Sequence, residues 1–159
     1  MLFNSLSYLF FLSVTLIVFY ILSSNKKIFF LVLSSFIFYG FWEPIYLILI
    51  ISITLIDYLL AQKIHLSKNI TSRKLYLISS IVLNIGILLT FKYLYFFAQN
   101  IEFLGFNINP SKYSFVLPLG ISFYTFEAIS YVVDVYNKKY IPENKYIYYF
   151  AFISFFPKL

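Results

Sequence analysis

The sequence predicts an all-α fold, a polytopic transmembrane helical bundle of about five to six membrane segments, truncated at its carboxyl end. Three observations carry that prediction. The 159-residue chain is 62% hydrophobic and only 11% charged, where a soluble domain is roughly half apolar and a quarter charged. Its mean hydropathy is +0.87, and the apolar excess recurs in runs from end to end instead of sitting in one anchor. The short segments between those runs hold most of the lysines, which is the pattern that bilayer topology produces. No Gly/Ser linker or internal repeat divides the chain, so residues 1–159 read as one membrane domain.

The elements follow in order. Residues 6–22 form the first apolar run, and residues 28–42 the second, which is short for a perpendicular crossing of about 20 residues. The third spans 45–61 and carries Asp57; Glu43 and Pro44 make the turn before it, with Pro44 suited to a first helical turn. The fourth spans 75–97 and carries Asn84, Gly86 and Lys92. The fifth, 115–133, holds Leu117-Pro118-Leu119-Gly120-Ile121-Ser122-Phe123-Tyr124-Thr125-Phe126-Glu127, and polar positions continue to Asp134. Pro118 fits a helix entrance, and Gly120 permits a close backbone approach. The sixth, 146–156, runs into the end of the chain, which predicts that further helices follow in the parent protein.

The loops orient the bundle. Lys26 and Lys27, then Lys63, Lys68, Arg73 and Lys74, then Lys138, Lys139 and Lys145 fall on one side. The opposite side holds Lys112 with Glu43 and Glu102. The positive-inside rule therefore predicts a multi-pass protein of the bacterial inner membrane, with the amino terminus outside. The same distribution explains the net charge of +6 without nucleic acid. Residues 1–8 lack the basic region of a cleavable signal peptide. The absence of cysteine excludes disulfides, thiolate metal sites and a cysteine nucleophile. His65 is the single histidine and falls in a basic loop, so no second histidine serves a metal site and no Ser/His/Asp triad can be assembled without invoking that loop.

Ionisable groups inside apolar runs are the candidate functional residues, because a carboxylate at the bilayer centre costs roughly 2.5–3.5 kcal/mol on insertion scales. Asp57 reads as a helix-lining carboxylate or, the favoured reading, as an interfacial group paired with Lys63. Lys92 reads as a lysine whose stem reaches the outer interface, with pairing to Glu127 or to an anionic substrate group as the alternative. Glu127 lies mid-run beside Ser122, Tyr124 and Thr125, and two helical turns from Asp134, nearly on one face. Such a face lines a polar site or glues helices together by hydrogen bonds. The candidate polar lining is thus Glu127, Asp134, Lys92, Ser122 and Tyr124. No catalytic, cofactor-binding or metal residue is assigned.

Several segments, in order, resemble the amino-terminal part of membrane-bound O-acyltransferases. The likeness is greatest to the bacterial branch acting on alginate or peptidoglycan. They are Phe38-Tyr39-Gly40-Phe41-Trp42-Glu43-Pro44, Thr54-Leu55-Ile56-Asp57-Tyr58, and Leu83-Asn84-Ile85-Gly86 with Phe91-Lys92-Tyr93. The segment from Leu117 to Phe126 follows with Tyr131-Val132-Val133-Asp134-Val135-Tyr136, and then Ser154-Phe155-Phe156-Pro157-Lys158-Leu159. The resemblance implies a membrane enzyme that moves an acyl group from a cytoplasmic donor, acetyl-CoA or another acyl thioester, to a hydroxyl of extracytoplasmic polysaccharide. It also implies an extracytoplasmic acetyltransferase partner protein. The family's catalytic histidine comes after the region matched here, so the isolated chain is expected to be inactive. A non-enzymatic transporter or accessory subunit is the alternative expectation.

Overall fold

A computed structural model describes residues 5–41, 43–104, 109 and 117–158. Trp42, Lys112, Leu159 and the opening of the fifth apolar run at 115–116 lie outside the described residues. The described chain is all-helical. Helices α1 (Leu6–Ile21), α2 (Ser24–Gly40) and α3 (Ile45–Leu66) come first. Helix α4 (Ile70–Leu88) passes through a π-helical turn (Leu89–Tyr93) into α5 (Leu94–Phe103). Helix α6 (Ile121–Tyr136) and the short α7 (Tyr146–Ile153) precede a 3-10 turn (Phe156–Lys158).

Local chemistry sets the helix ends. The side chain of Ser5 accepts from the Tyr8 amide at 3.2 Å and starts α1. Asn69 accepts from the Thr71 amide at 2.9 Å and starts α4. Pro44 precedes α3 with helical dihedrals, as its fixed φ favours. Gly120 caps α6 with φ 70, a left-handed conformation that side chains disfavour. Pro118 therefore lies ahead of α6 in a turn, its carbonyl accepting from Ile121 at 3.2 Å. Gly120 thus has a conformational role at the helix entrance.

Among the described residues, two helices are long and apolar enough to cross a bilayer: α3, with 22 residues, and the continuous Ile70–Phe103 helix, with 34. Helix α1 is apolar but shorter. The exterior is apolar along much of the molecule: Leu6, Phe10, Ile17, Ile48, Val82 and Phe126 are all exposed. A water-soluble fold would bury such residues; hydrocarbon is their natural solvent. Hydroxyls inside the helices return to the preceding turn, as from Thr15 to the Phe11 carbonyl at 2.8 Å and from Ser154 to Phe150 at 2.7 Å. This satisfies polar groups where no water is available.

The core forms where α3, α4 and α6 pack on one another, with α7 laid across α2 and α3. Ile50, Ile53, Ile121, Tyr124, Ala128 and Ile153 fill its centre. A second cluster locks the chain's last turn to its first helices. Phe156 is fully buried, with ring centroids 5.1 Å from Phe11 and 5.3 Å from Phe38. Edge and offset ring contacts of this kind add to the apolar burial. They hold the 3-10 turn, and with it Lys158, against the bundle.

Candidate functional site

Two polar centres lie within the bundle. The first joins α3 to α4. Asp57 is 0% exposed. Its carboxyl accepts from the Ser80 hydroxyl on one oxygen and from Asn84 Nδ2, at 2.7 Å, on the other. Asn84 Nδ2 also donates to the Ser80 carbonyl at 3.0 Å, which orients the amide. The expected pairing of Asp57 with Lys63 is not formed. Lys63 points away, its ammonium 5.7 Å from the Tyr76 ring centroid. The reason is helical phase: Asp57 shares the buried face of α3 with Ile50, Ile53, Thr54, Ala61 and Ile64. A buried carboxyl needs donors there more than it needs a distant, solvated cation.

The second centre joins α6 to the last turn. Lys158 Nζ lies 2.5 Å from Glu127 Oε1, and the two side chains are 23% and 17% exposed. Lys158 also donates to the Phe152 carbonyl and sits 4.3 Å from the Phe152 ring centroid. The other carboxylate oxygen, Glu127 Oε2, is buried with no partner among the described residues. The hydroxyls of Tyr39 and Tyr149 are also buried with no hydrogen-bond partner among the described residues. Glu127 stands about 9 Å along α6 from Ile121, well inside the apolar segment. A groove of about 470 Å³ follows the outward face of α6 here, lined by Ser122, Phe123, Phe126, Glu127 and Ser130.

The remaining predicted lining residues are separated. Lys92 lies in the π-helical turn, exposed, and donates to Ser122 Oγ at 3.2 Å; its alternative pairing with Glu127 does not occur. Ser122 and Glu127 thus share the outward groove, and Lys92 reaches it only through its hydrogen bond to Ser122. Tyr124 faces the other way and is buried in the apolar core. Asp134 sits near the end of α6 and pairs with Lys139 at 3.2 Å, away from Glu127's partner. Asp134 and Glu127 are two turns apart, and each meets the nearest cation at its own depth.

Sequence reasoning assigned no role to Lys158, Ser80, Tyr39 or Tyr149. Lys158 had a signal: it is a cation at the end of an apolar run, in a chain with an unmatched carboxylate mid-run. Asn84 had one too, as a polar side chain on the run next to that of Asp57. The tyrosines had none, since they are common throughout the chain.

Chemically, the Glu127 centre offers an anionic acceptor held by one cation, with unfilled hydrogen-bonding capacity on the second carboxylate oxygen. That arrangement can bind and orient a hydroxyl-bearing or amide-bearing group.

No family model matches the chain, and no solved structure matches it. Curated relatives do. It is 32% identical over 164 residues to the probable alginate O-acetylase AlgI of Pseudomonas aeruginosa, covering 100% of this chain and 32% of that protein. It is 31% identical over 153 residues to the peptidoglycan O-acetyltransferase of Helicobacter pylori, covering 81% of this chain and 29% of that protein. The probable alginate O-acetylase AlgI of Pseudomonas putida is 32% identical over the whole chain and 34% of its own length. The chain spans about a third of the length of the curated relatives it matches. With whole-chain identity at this level and apolar helices fit to cross a bilayer, the chain belongs to the membrane-bound O-acyltransferase family, in the branch of alginate and peptidoglycan O-acetyltransferases.

Proposed function

We propose that this chain forms the amino-terminal membrane portion of an O-acetyltransferase. The parent enzyme moves an acetyl group from a cytoplasmic acyl thioester, such as acetyl-CoA, to hydroxyls of an extracytoplasmic polysaccharide of the alginate or peptidoglycan class. The observation that carries this reading is the identity, along the entire chain, to proteins named for those two activities. The chain is one domain of about five to six membrane segments in the inner membrane, its amino terminus outside. Helices α1 to α4, α6 and the short α7 are those segments, and the lysine-rich loops face the cytoplasm.

The outward groove of α6 is the polar wall this portion contributes. Ser122 and Glu127 face the remainder of the parent enzyme, and Lys158 holds the Glu127 carboxylate in place. The attack of a sugar hydroxyl on a thioester carbonyl requires a general base. The rest of the parent supplies it, and a separate extracytoplasmic acetyltransferase receives or completes the transfer. Glu127 is therefore a positioning residue.

The test uses the parent reading frame and this 159-residue chain side by side, with acetate released by mild alkali from the envelope polysaccharide as the readout. Acetylation by the parent that falls at least tenfold with Glu127→Gln, at unchanged protein level, supports the reading. Acetylation by the purified 159-residue chain alone would sink it.

A further inference from the structure

At the end of the bundle that carries the basic loops, α3, α4 and α6 meet around a cleft of about 400 Å³. His65, Lys68, Arg73 and Lys138 line it, with Tyr140 and Ile141 at one side, and no carboxylate is among its described lining residues. The nearest carboxylate on α6, Asp134, is occupied by Lys139. The cleft therefore concentrates positive charge with no internal counter-ion.

Two features mark it as built for a ligand rather than as a loose collection of surface lysines. Arg73 is fixed: its guanidinium donates to the Tyr136 carbonyl and stacks 5.1 Å from the Tyr136 ring centroid. Lys138 is held in the left-handed conformation at φ 61, the one non-glycine residue with positive φ among the described residues. It terminates α6, with its amide donating to the Val135 carbonyl at 3.1 Å and the next amide, of Lys139, to Asp134 at 3.0 Å. Glycine or asparagine ordinarily fills that position because it carries less strain. Here a lysine fills it, and its side chain reaches the basic cleft. Strain kept at such a position points to a use for the side chain.

The rim narrows the choice of ligand. Leu66 and Ile70, flanking the cleft's loop, and Ile141, in its wall, are largely exposed apolar side chains. A soluble anion would gain nothing from them. A phospholipid places a phosphodiester among cations and its acyl chains against just such a rim, and each basic group near an anionic lipid headgroup contributes favourably. The amino terminus of α4 adds the positive end of its dipole.

We propose that this cleft binds the phosphate headgroup of an anionic phospholipid, phosphatidylglycerol or a close chemical relative, and so pins α3, α4 and α6 at the membrane surface. The assignment is independent of the acyl-transfer reading. It is tested on the purified chain in zwitterionic micelles, by native mass spectrometry of retained lipid and by thermal unfolding. The probes are phosphatidylglycerol, phosphatidylcholine and inorganic phosphate. Wild type retains phosphatidylglycerol over phosphatidylcholine, and Lys68→Gln and Lys138→Gly each weaken that retention about fivefold. Lys138→Gly also raises the lipid-free unfolding temperature, since glycine relieves the left-handed strain. That rise separates lost binding from lost folding, and Lys68→Gln, on an exposed loop, checks it independently. Undiminished phosphatidylglycerol retention by both variants overturns the proposal. Equal retention of the two lipids overturns it as well. Displacement of phosphatidylglycerol by equimolar inorganic phosphate overturns the lipid as ligand in favour of a soluble phosphate.

Discussion

At the scale of the residue, the Glu127–Lys158 pair follows from how little a bilayer tolerates an unpaired charge. Each ion alone would be costly at this depth, and the pair at 2.5 Å makes both tenable. Removing one partner strands the other. Lys158→Met is expected to destabilise the folded chain by about 3–5 kcal/mol, and the double variant with Glu127→Leu to recover most of that loss. Thermal unfolding in detergent measures both, and a double variant no more stable than the single one would show that the pair is not the cause. Asp57 poses the same problem with a different solution, because its partners are neutral donors. Asp57→Ala leaves the Ser80 hydroxyl and the Asn84 amide buried without their acceptor. The expected cost is about 1–3 kcal/mol per stranded group, read as a lower midpoint in denaturant.

At the scale of the element, glycines act in opposite ways. Gly120 begins α6 at φ 70, so Gly120→Ala is expected to cost about 1–2 kcal/mol through left-handed strain alone. Gly86 lies within α4, and a Cβ added there meets nothing within 4 Å. Gly86→Ala is expected to stabilise the helix, by up to about 1 kcal/mol, in the same unfolding assay. The π-helical turn at Leu89–Tyr93 changes the phase between α4 and α5 and sets Lys92 beside Ser122. Apolar runs located the elements but misjudged their ends. Helix α2 starts at Ser24, four residues before its apolar run, because a first helical turn can be polar and hydropathy does not count it. Helix α3 continues to Leu66 past Gln62 and Lys63, since its buried face, through Ala61 and Ile64, runs on while the exposed face has turned polar.

At the scale of the whole molecule, much of the outside is apolar as well as the core, and the buried carboxyl of Asp57 is enclosed with its own hydrogen-bond donors, unlike a soluble domain. One end of the bundle is tied together by main-chain contacts of the 137–145 loop. Tyr58 donates to the Asn144 carbonyl at 2.7 Å, Gln62 to Glu143 at 2.6 Å, and the Glu143 amide to Tyr131 at 2.8 Å. The basic cleft lies at the same end, so a reporter fused after Lys74 is expected to read cytoplasmic on the proposed topology. An extracytoplasmic signal there would invert the whole arrangement.

By itself the sequence determined that the chain is helical, that it is a membrane protein, and roughly where each helix lies. Those properties are local: hydropathy and helical period are written along consecutive residues. It also determined the family, through identity that needs no knowledge of contacts. Only the tertiary structure decided which polar groups meet. Asp57 finds Ser80 and Asn84 rather than Lys63, and Glu127 finds Lys158 rather than Lys92. Each pairing depends on which faces of separate helices are turned together, and apolar packing, as around Phe156, sets that rotation. Nothing in the spacing along one helix records it.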